Sequence, residues 1–340
     1  MTDKVQLQNV GEKQASIIIV TYNNKHFLNV CLNSIFTQEY PHEVIIVDNC
    51  SNDGTVSYVR EHFPTVKVIG NSSNAGYGAG NNLGVKHAQG EYIVILNPDT
   101  IVHKGWLSAL ISPLENENNI ITTPKILTYE GLTINTCGNI NHFTGLNFTR
   151  GLGLSPDHYQ EPTSTGGISG ACFAMRKHDY EILGGFDETF FMYNEDSDFS
   201  WRAFQSGYTI KYIPNSVIRH YYTLKVAPEK LYYLEKGRYI ILRKYFSRRE
   251  MIILLPSLIM AEIFTWGYCL KQGKQGIRNK IRAMTEGLQQ PVKIEHGNTD
   301  LLLSRLDSRI PETQLISNVF EKGIAVIGNI VFSLNYRMIK

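Results

Sequence analysis

Along the first hundred residues, short apolar runs stop repeatedly at polar corners. Ser16-Ile-Ile-Ile-Val-Thr21 ends on Tyr22-Asn23-Asn24, and Glu43-Val-Ile-Ile-Val-Asp48 ends on Asn49. Val66 to Ile69 leads into the glycine- and asparagine-rich loop Asn71 to Asn82, and Glu91 to Leu96 stops at Asn97-Pro98-Asp99-Thr100. Runs rich in Ile and Val and bounded by turn residues predict buried strands of a parallel sheet. Between them Leu28, Cys31, Leu32 and Ile35 share one helical face, Val56 and Val59 start a second helix, and a third runs to about Ala88. Strands alternating with helices predict right-handed crossovers, hence a mostly parallel sheet with helices on both faces.

That order places Asp48 and Asp99 just beyond strand ends, where open α/β sheets bind their ligands. Pro98 has no N–H and ends the ladder. A lone carboxylate there suits a hard cation bridging phosphates. From the residues alone, Asp99 reads equally well as a turn residue capping a helix through Trp106 and Leu107. The glycines at 76, 78 and 80 fit neither the dinucleotide fingerprint nor a P-loop. After Pro113 the pattern loosens, and residues 128–166, rich in Thr, Asn and Gly, read as strands or loops over the strand ends. A helix is predicted to begin near Glu195-Asp196, whose charges the helix dipole favours. Asp198 is expected to cap or to pair with Arg202 one turn on. Tyr208–Tyr212 and Val217–His220 are predicted as two strands.

Beyond Tyr221 the character changes. Lys225, Lys230, Lys236, Arg238, Arg243, Lys244, Arg248 and Arg249 outnumber the acids, and Met251 to Leu270 is nearly all apolar, interrupted by Pro256 and Glu262. A second apolar segment runs from Gly323 to Leu334. Basic aromatic sequence leading into apolar helix suits an anionic membrane surface or a homo-oligomer interface rather than a simple span. The chain therefore divides into a polar N-terminal extension (1–14), an α/β domain (15–222) and a helical, amphipathic C-terminal region (223–340). A net charge of +2 argues against general nucleic-acid binding. The five cysteines form no C-x-x-C pair, which argues for reduced thiols without structural zinc. Residues 1–13 lack the apolar core of a signal peptide, so a cytoplasmic location, peripheral on the inner face of the cell membrane, is expected.

In chain order, Ile-Val-Thr21-Tyr22-Asn23, Val47-Asp48-Asn49-x-Ser51-x-Asp53-Gly54, Asn74-x-Gly76-x-x-x-Gly80-Asn81-Asn82-x-Gly84, Leu96-Asn97-Pro98-Asp99-Thr100, Ser169-Gly170-Ala171, Gly184-Gly185-Phe186-Asp187-Glu188 and Glu195-Asp196-x-Asp198 resemble the GT-A fold glycosyltransferases of family 2. The subgroup resembled contains rhamnosyltransferases and O-antigen enzymes, and the likeness covers residues 16 to about 222. It implies that Thr21, Tyr22, Asn23, Asp48, Asp53, Asn74, Gly76, Asn81, Asn82, Asn97 and Asp99 surround a nucleotide-sugar. It further implies that Asp99 and His220 hold Mg²⁺ or Mn²⁺, and that Asp196, with Glu195, is the general base. The reaction implied is inverting transfer of a hexose or deoxyhexose, such as rhamnose, from UDP or dTDP to a saccharide acceptor linked to polyprenyl diphosphate. Asn97 departs from the pattern, standing where many relatives carry the first Asp of a D-x-D motif. Two other readings keep the sheet. One is nucleotidyl transfer, which needs a basic glycine-rich loop after the first strand, unlike Tyr22-Asn23-Asn24. The other is a catalytically silent sugar-nucleotide-binding scaffold, which Asn97 favours and Glu195-Asp196 opposes.

Overall fold

A computed structural model describes residues 14–222, 227–295, 297–311, 314 and 319–340. The expected polar extension lies almost wholly outside the described residues, as does Lys225. The chain opens with β1 (Ala15–Thr21), α1 (Lys25–Ile35), β2 (His42–Asp48), α2 (Thr55–His62), β3 (Lys67–Gly70), α3 (Tyr77–Lys86) and β4 (Tyr92–Leu96). Next come β5 (Thr100–Val102), α4 (Trp106–Asn116), β6 (Ile120–Thr128), β7 (Ile134–Thr136), β8 (Asn139–Asn141), β9 (Asn147–Thr149), β10 (Thr163–Ser164) and β11 (Cys172–Arg176). Then follow α5 (Lys177–Ile182), α6 (Glu195–Gln205) and β12 (Thr209–His220). The tail adds α7 (Pro228–Tyr245), α8 (Arg248–Ile253), α9 (Leu255–Lys271), α10 (Gly273–Gln289), α11 (Thr299–Arg305) and α12 (Val319–Ile339).

The main sheet runs β10-β12-β6-β11-β4-β1-β2-β3, with β5 on β12 and β7 on β6. β3, β2, β1 and β4 are mutually parallel, while β11 is antiparallel to both β4 and β6. Alternate residues of β1 point to opposite sides: Ile17 and Ile19 pack with α1 and α4, whereas Ile18 and Val20 join a cluster containing Phe199 and Ile240. Burial on both sides explains why the strand sequences are continuously apolar rather than alternating. α3 lies so close to β1 that a Cβ at Gly84 would sit 2.4 Å from Ile18 Cγ2.

Two features differ from the sequence reading. The two strands expected at 208–220 are one strand, β12, whose pairing with β6 shifts register between Ile213 and Val217. Pro214 and Asn215 interrupt the apolar pattern there, but the bulge absorbs them without ending the strand. The tail also shares the core of the sheet, since Ile240, Leu242, Tyr245, Leu302 and Phe332 belong to the same buried cluster as Ile95 and Phe173. Among the described residues, no helix is long and apolar enough to cross a membrane.

Candidate active site

Strand register assembles the site. β1 and β2 place Thr21 directly beside Asp48. Both are buried, and Thr21 Oγ1 and Asp48 Oδ1 lack hydrogen-bond partners, while Asp48 Oδ2 accepts from Ser51 N at 2.9 Å. Asn23 has a left-handed backbone (φ 56°), and its N–H donates to Ser51 Oγ while its Oδ1 accepts from Asn52 N, so the corners after β1 and β2 lock together. Tyr22 projects from this corner, 48% exposed. Asp53 accepts from Lys25 N and from Thr55 N and Oγ1, tying the starts of α1 and α2. Burial alone would raise the Asp53 carboxyl, but the Thr55 hydroxyl and these N–H groups outweigh it and hold it low. Beside it Lys25, His26, Asn29, Asp53 and Tyr58 line an open cavity of about 450 Å³.

The glycine loop is fastened from both sides. Asn74 Oδ1 accepts from Gly76 N, and Gly76 O accepts from Asn49 Nδ2. Gly76 itself has φ +89°, and a Cβ there would meet Phe191 O at 2.4 Å, so only glycine fits. Asn81 is fully buried, its amide donating to Tyr77 O while its Oδ1 has no partner. Asn82 is wholly engaged by protein: it donates to Phe186 O and Glu188, and accepts from Phe186 N and Tyr180 OH.

The second corner forms where β5 returns along β12. Thr100 pairs with His220, which brings the imidazole over Asp99, with His220 Nε2 3.3 Å from Asp99 Oδ1. His220 Nδ1 faces Asn135 Oδ1 at 3.3 Å, and Asn97 Nδ2 approaches Nε2 at 3.4 Å. A proton on Nδ1 satisfies Asn135 and turns the Nε2 lone pair toward Asp99, as in a histidine oriented for a cation. Asp99 does not cap the next helix, because α4 starts at Trp106 behind Gly105. Asp99 Oδ1 and Asn97 Oδ1 are both buried without hydrogen-bond partners. Among the described residues, no group of three or more His, Cys, Asp or Glu could hold a metal ion. A cation at the Asp99–His220 pair would have to take its remaining ligands from outside the protein.

The third corner is Glu195-Asp196 at the start of α6. Asp196 Oδ2 accepts from Gly170 N at 3.1 Å and from Asn139 Nδ2 at 3.2 Å, while Oδ1 accepts from Ser197 N at 2.8 Å. Gly170 stands one residue from Ala171, whose carbonyl accepts from Asn97 N. Burial raises the Asp196 carboxyl, and these N–H donors offset part of the rise. Burial and then the Asp196 charge raise Glu195, whose Oε2 has no partner. Tyr77 OH donates to Gly170 O, and burial followed by the charges of Glu195 and Asp196 keeps its phenol protonated.

The partnerless buried oxygens named above sit at strand ends or on the helices facing them, and all can accept, while the Thr21 hydroxyl can also donate. Such a site suits a ligand rich in N–H and O–H donors, or a cation, since a buried acceptor without a partner is costly. Some neighbours escaped the sequence reading. Asn135 and Asn139 lie within 128–166, and only their fold positions reveal their partners. Lys230, grouped above with a basic tail, donates to Tyr222 OH at 2.8 Å, with Nζ 5.1 Å from the Tyr193 ring centre and 4.5 Å from that of Tyr222. Tyr222 in turn packs on His220.

This sheet, with a carboxylate–histidine pair and an adjacent acid pair, has the architecture of the GT-A glycosyltransferases. Residues 16–183 match the model for glycosyl transferase family 2, and the chain carries a domain of that family. Residues 150–227 match the model described as the N-terminal domain of galactosyltransferase. The chain is 28% identical over 197 residues to the low-salt glycan biosynthesis hexosyltransferase Agl10 of Haloferax volcanii, covering 55% of this chain and 61% of that relative. It is 26% identical over 233 residues to the N-acetylglucosaminyl-diphospho-decaprenol L-rhamnosyltransferase of Mycobacterium tuberculosis, covering 60% of this chain and 75% of that protein. A crystal structure of GalNAc-T7 with UDP, GalNAc and Mn²⁺ superposes with a TM-score of 0.59 at 16% identity, covering 83% of this chain and 57% of that one, a likeness that speaks for the fold.

Proposed function

We propose that the chain transfers a hexose or deoxyhexose, with inversion, from UDP or dTDP to a saccharide on polyprenyl diphosphate, at the cytoplasmic face of a membrane. The observation carrying this reading is the proximity of the acid pair to the Asp99 corner: Asn97 N donates to Ala171 O at 2.9 Å, and the N–H of the preceding residue, Gly170, donates to Asp196 Oδ2 at 3.1 Å. Thr21, Asp48 and Asn81 would accept from the base and ribose, and the Asn74–Gly76 turn would border the diphosphate. Asp99 and His220 would hold Mg²⁺ or Mn²⁺, which when bound supplies positive charge for the departing diphosphate. The acceptor hydroxyl oxygen attacks the anomeric carbon, its proton passes to Asp196, and the bond to the diphosphate oxygen breaks with its electron pair. One displacement inverts the carbon and requires a single base. The decaprenyl-linked substrate named for the mycobacterial relative supports the acceptor class.

Thermal shift with UDP-, dTDP- and GDP-sugars, with and without Mn²⁺, tests the donor. UDP- or dTDP-sugars with Mn²⁺ are expected to stabilise the protein by about 2.7 kcal/mol at a hundredfold excess over Kd. Asp99→Ala should erase the Mn²⁺-dependent part of that shift; a shift indifferent to Mn²⁺ or to the substitution overturns the cation assignment. Binding without turnover on any lipid-linked acceptor would instead identify a silent scaffold. Lys230, at the edge of the Asp99 corner, would add charge for the leaving diphosphate. Lys230→Met is expected to lower kcat between about tenfold and a hundredfold in steady-state assays, and an unchanged kcat removes it from that role.

A further inference from the structure

The helices α9 and α12 each carry an apolar stripe on the outside as well as residues packed on the core. The residues α9 buries are small, Ser257, Ala261, Thr265 and Cys269, at four-residue spacing. Leu255, Ile259 and Ile263 point outward at the same spacing, 52%, 53% and 48% exposed, joined by Leu270 at 59%, while Leu258, Met260 and Phe264 pack against the core. α12 buries Ala325 and Phe332 and likewise leaves Ile327, Ile330, Leu334 and Met338 exposed. The two helices lie against each other, close enough that a Cβ at Gly328 would touch Phe264 at 2.7 Å. A helix packed only on a protein core turns its apolar stripe inward, so these outward stripes lack an occupant.

Charge decides which occupant fits. The tail lysines and arginines grouped above as a membrane-facing segment are mostly engaged elsewhere. Lys236 pairs with Glu286, Arg238 is buried against Glu235 and Glu262, Arg243 donates to the carbonyls of Gly287 and Gln290, and Lys244 is buried among acids. Of that group Arg248 and Arg249, on α8, are exposed, as are Lys274 and Arg278 on α10 and Arg337 and Lys340 at the end of α12. The acids of α8 and α9 are occupied, Glu250 in the capping box with Ser247 and Glu262 with Arg238 and Lys280. An apolar face flanked along the chain by exposed basic groups is complementary to anionic lipid, whereas two copies meeting face to face would bring like charges together.

We infer that the outward faces of α9 and α12 lie in the plane of an anionic bilayer. This rests on the proposed lipid-linked acceptor, which it would present to the Asp196 cleft. Neither helix needs to cross, in keeping with their length and apolarity.

The test is co-sedimentation of the full chain with vesicles of phosphatidylcholine alone or mixed with phosphatidylglycerol, alongside sedimentation velocity without lipid. Binding to the mixed vesicles only, weakened by salt, is expected. Ile259→Asp with Ile330→Asp, both exposed, should reduce it at least tenfold, and Arg248→Glu with Arg337→Glu should do the same while leaving the apolar faces intact. Binding that survives both pairs, no binding at all, or a dimer in solution that the aspartates dissociate would each overturn the inference. The UDP-sugar thermal shift of the same variants keeps the two readings separable. Retained donor binding with lost vesicle binding supports this face, and vesicle binding without any donor response sinks the glycosyl-transfer reading alone.

Discussion

Asp196→Asn is expected to lower transfer by about 10²- to 10⁴-fold while leaving donor affinity unchanged. The substitution keeps the size of the side chain and lets its amide oxygen accept from Gly170 and Asn139; it removes the capacity to take a proton, together with the acceptor that faces Ser197 N. Glu195→Gln should cost far less, and the contrast identifies the base. Both carboxyls are raised, chiefly by burial, but Asp196 accepts from Gly170, Asn139 and Ser197, whereas Glu195 has only its own backbone N–H to stabilise its anion. Glu195 Oε2 has no partner, so the shared proton resides on Glu195 and glutamine imitates that state. A raised base is protonated as pH falls, so kcat/KM should decline on the acid side from a pH above the ordinary carboxylate range. Equal losses in the two variants, or a pH profile flat down to the ordinary carboxylate range, would remove Asp196 as the base.

The strand ends were legible because burial on both faces of the sheet writes itself as continuous apolar runs. Asp48 and Asp99 were placed at strand ends by that pattern alone, since whatever follows such a run stands at the ligand-binding edge, whereas Thr21 was singled out only by the family resemblance. His220 was harder: only the pairing of Thr100 with His220 brings it to Asp99, and no spacing in the chain announces that register. The tail was least legible. A lysine in an amphipathic segment reads as solvated surface, yet Lys244 is almost fully buried and Lys230 folds over the tyrosines beside His220. Composition cannot tell these fates apart, because the compensating acids lie on other elements.

Lys244→Met is expected to destabilise the protein by about 3–5 kcal/mol, because it breaks a buried ion pair and leaves charge behind. Lys244 Nζ reaches Asp187 Oδ2 at 2.5 Å and Asp198 Oδ1 at 2.6 Å. The first carboxylate sits in the Gly184-Gly185-Phe186-Asp187 turn, and the second lies on α6, two residues after Asp196. One tail lysine therefore fixes the start of the helix that carries the base. Arg202, 3.1 Å from Asp198 Oδ2, and Tyr245 OH, 3.0 Å from Oδ1, would remain, so Asp187 loses its cation altogether while Asp198 keeps one. In a chain of 340 residues such a loss lowers Tm by about 5 °C, measurable by calorimetry. The pH dependence has a definite sign. Burial would raise Asp187, but Lys244 outweighs it and holds the folded carboxyl below its ordinary value. Its contribution is complete above the unfolded carboxylate pKa and disappears as pH falls through the lower folded value. The stability gap between wild type and Lys244→Met should therefore narrow on acidification; a gap that stays constant into strong acid would show that packing of the lysine stem, not its charge, joins the tail to α6.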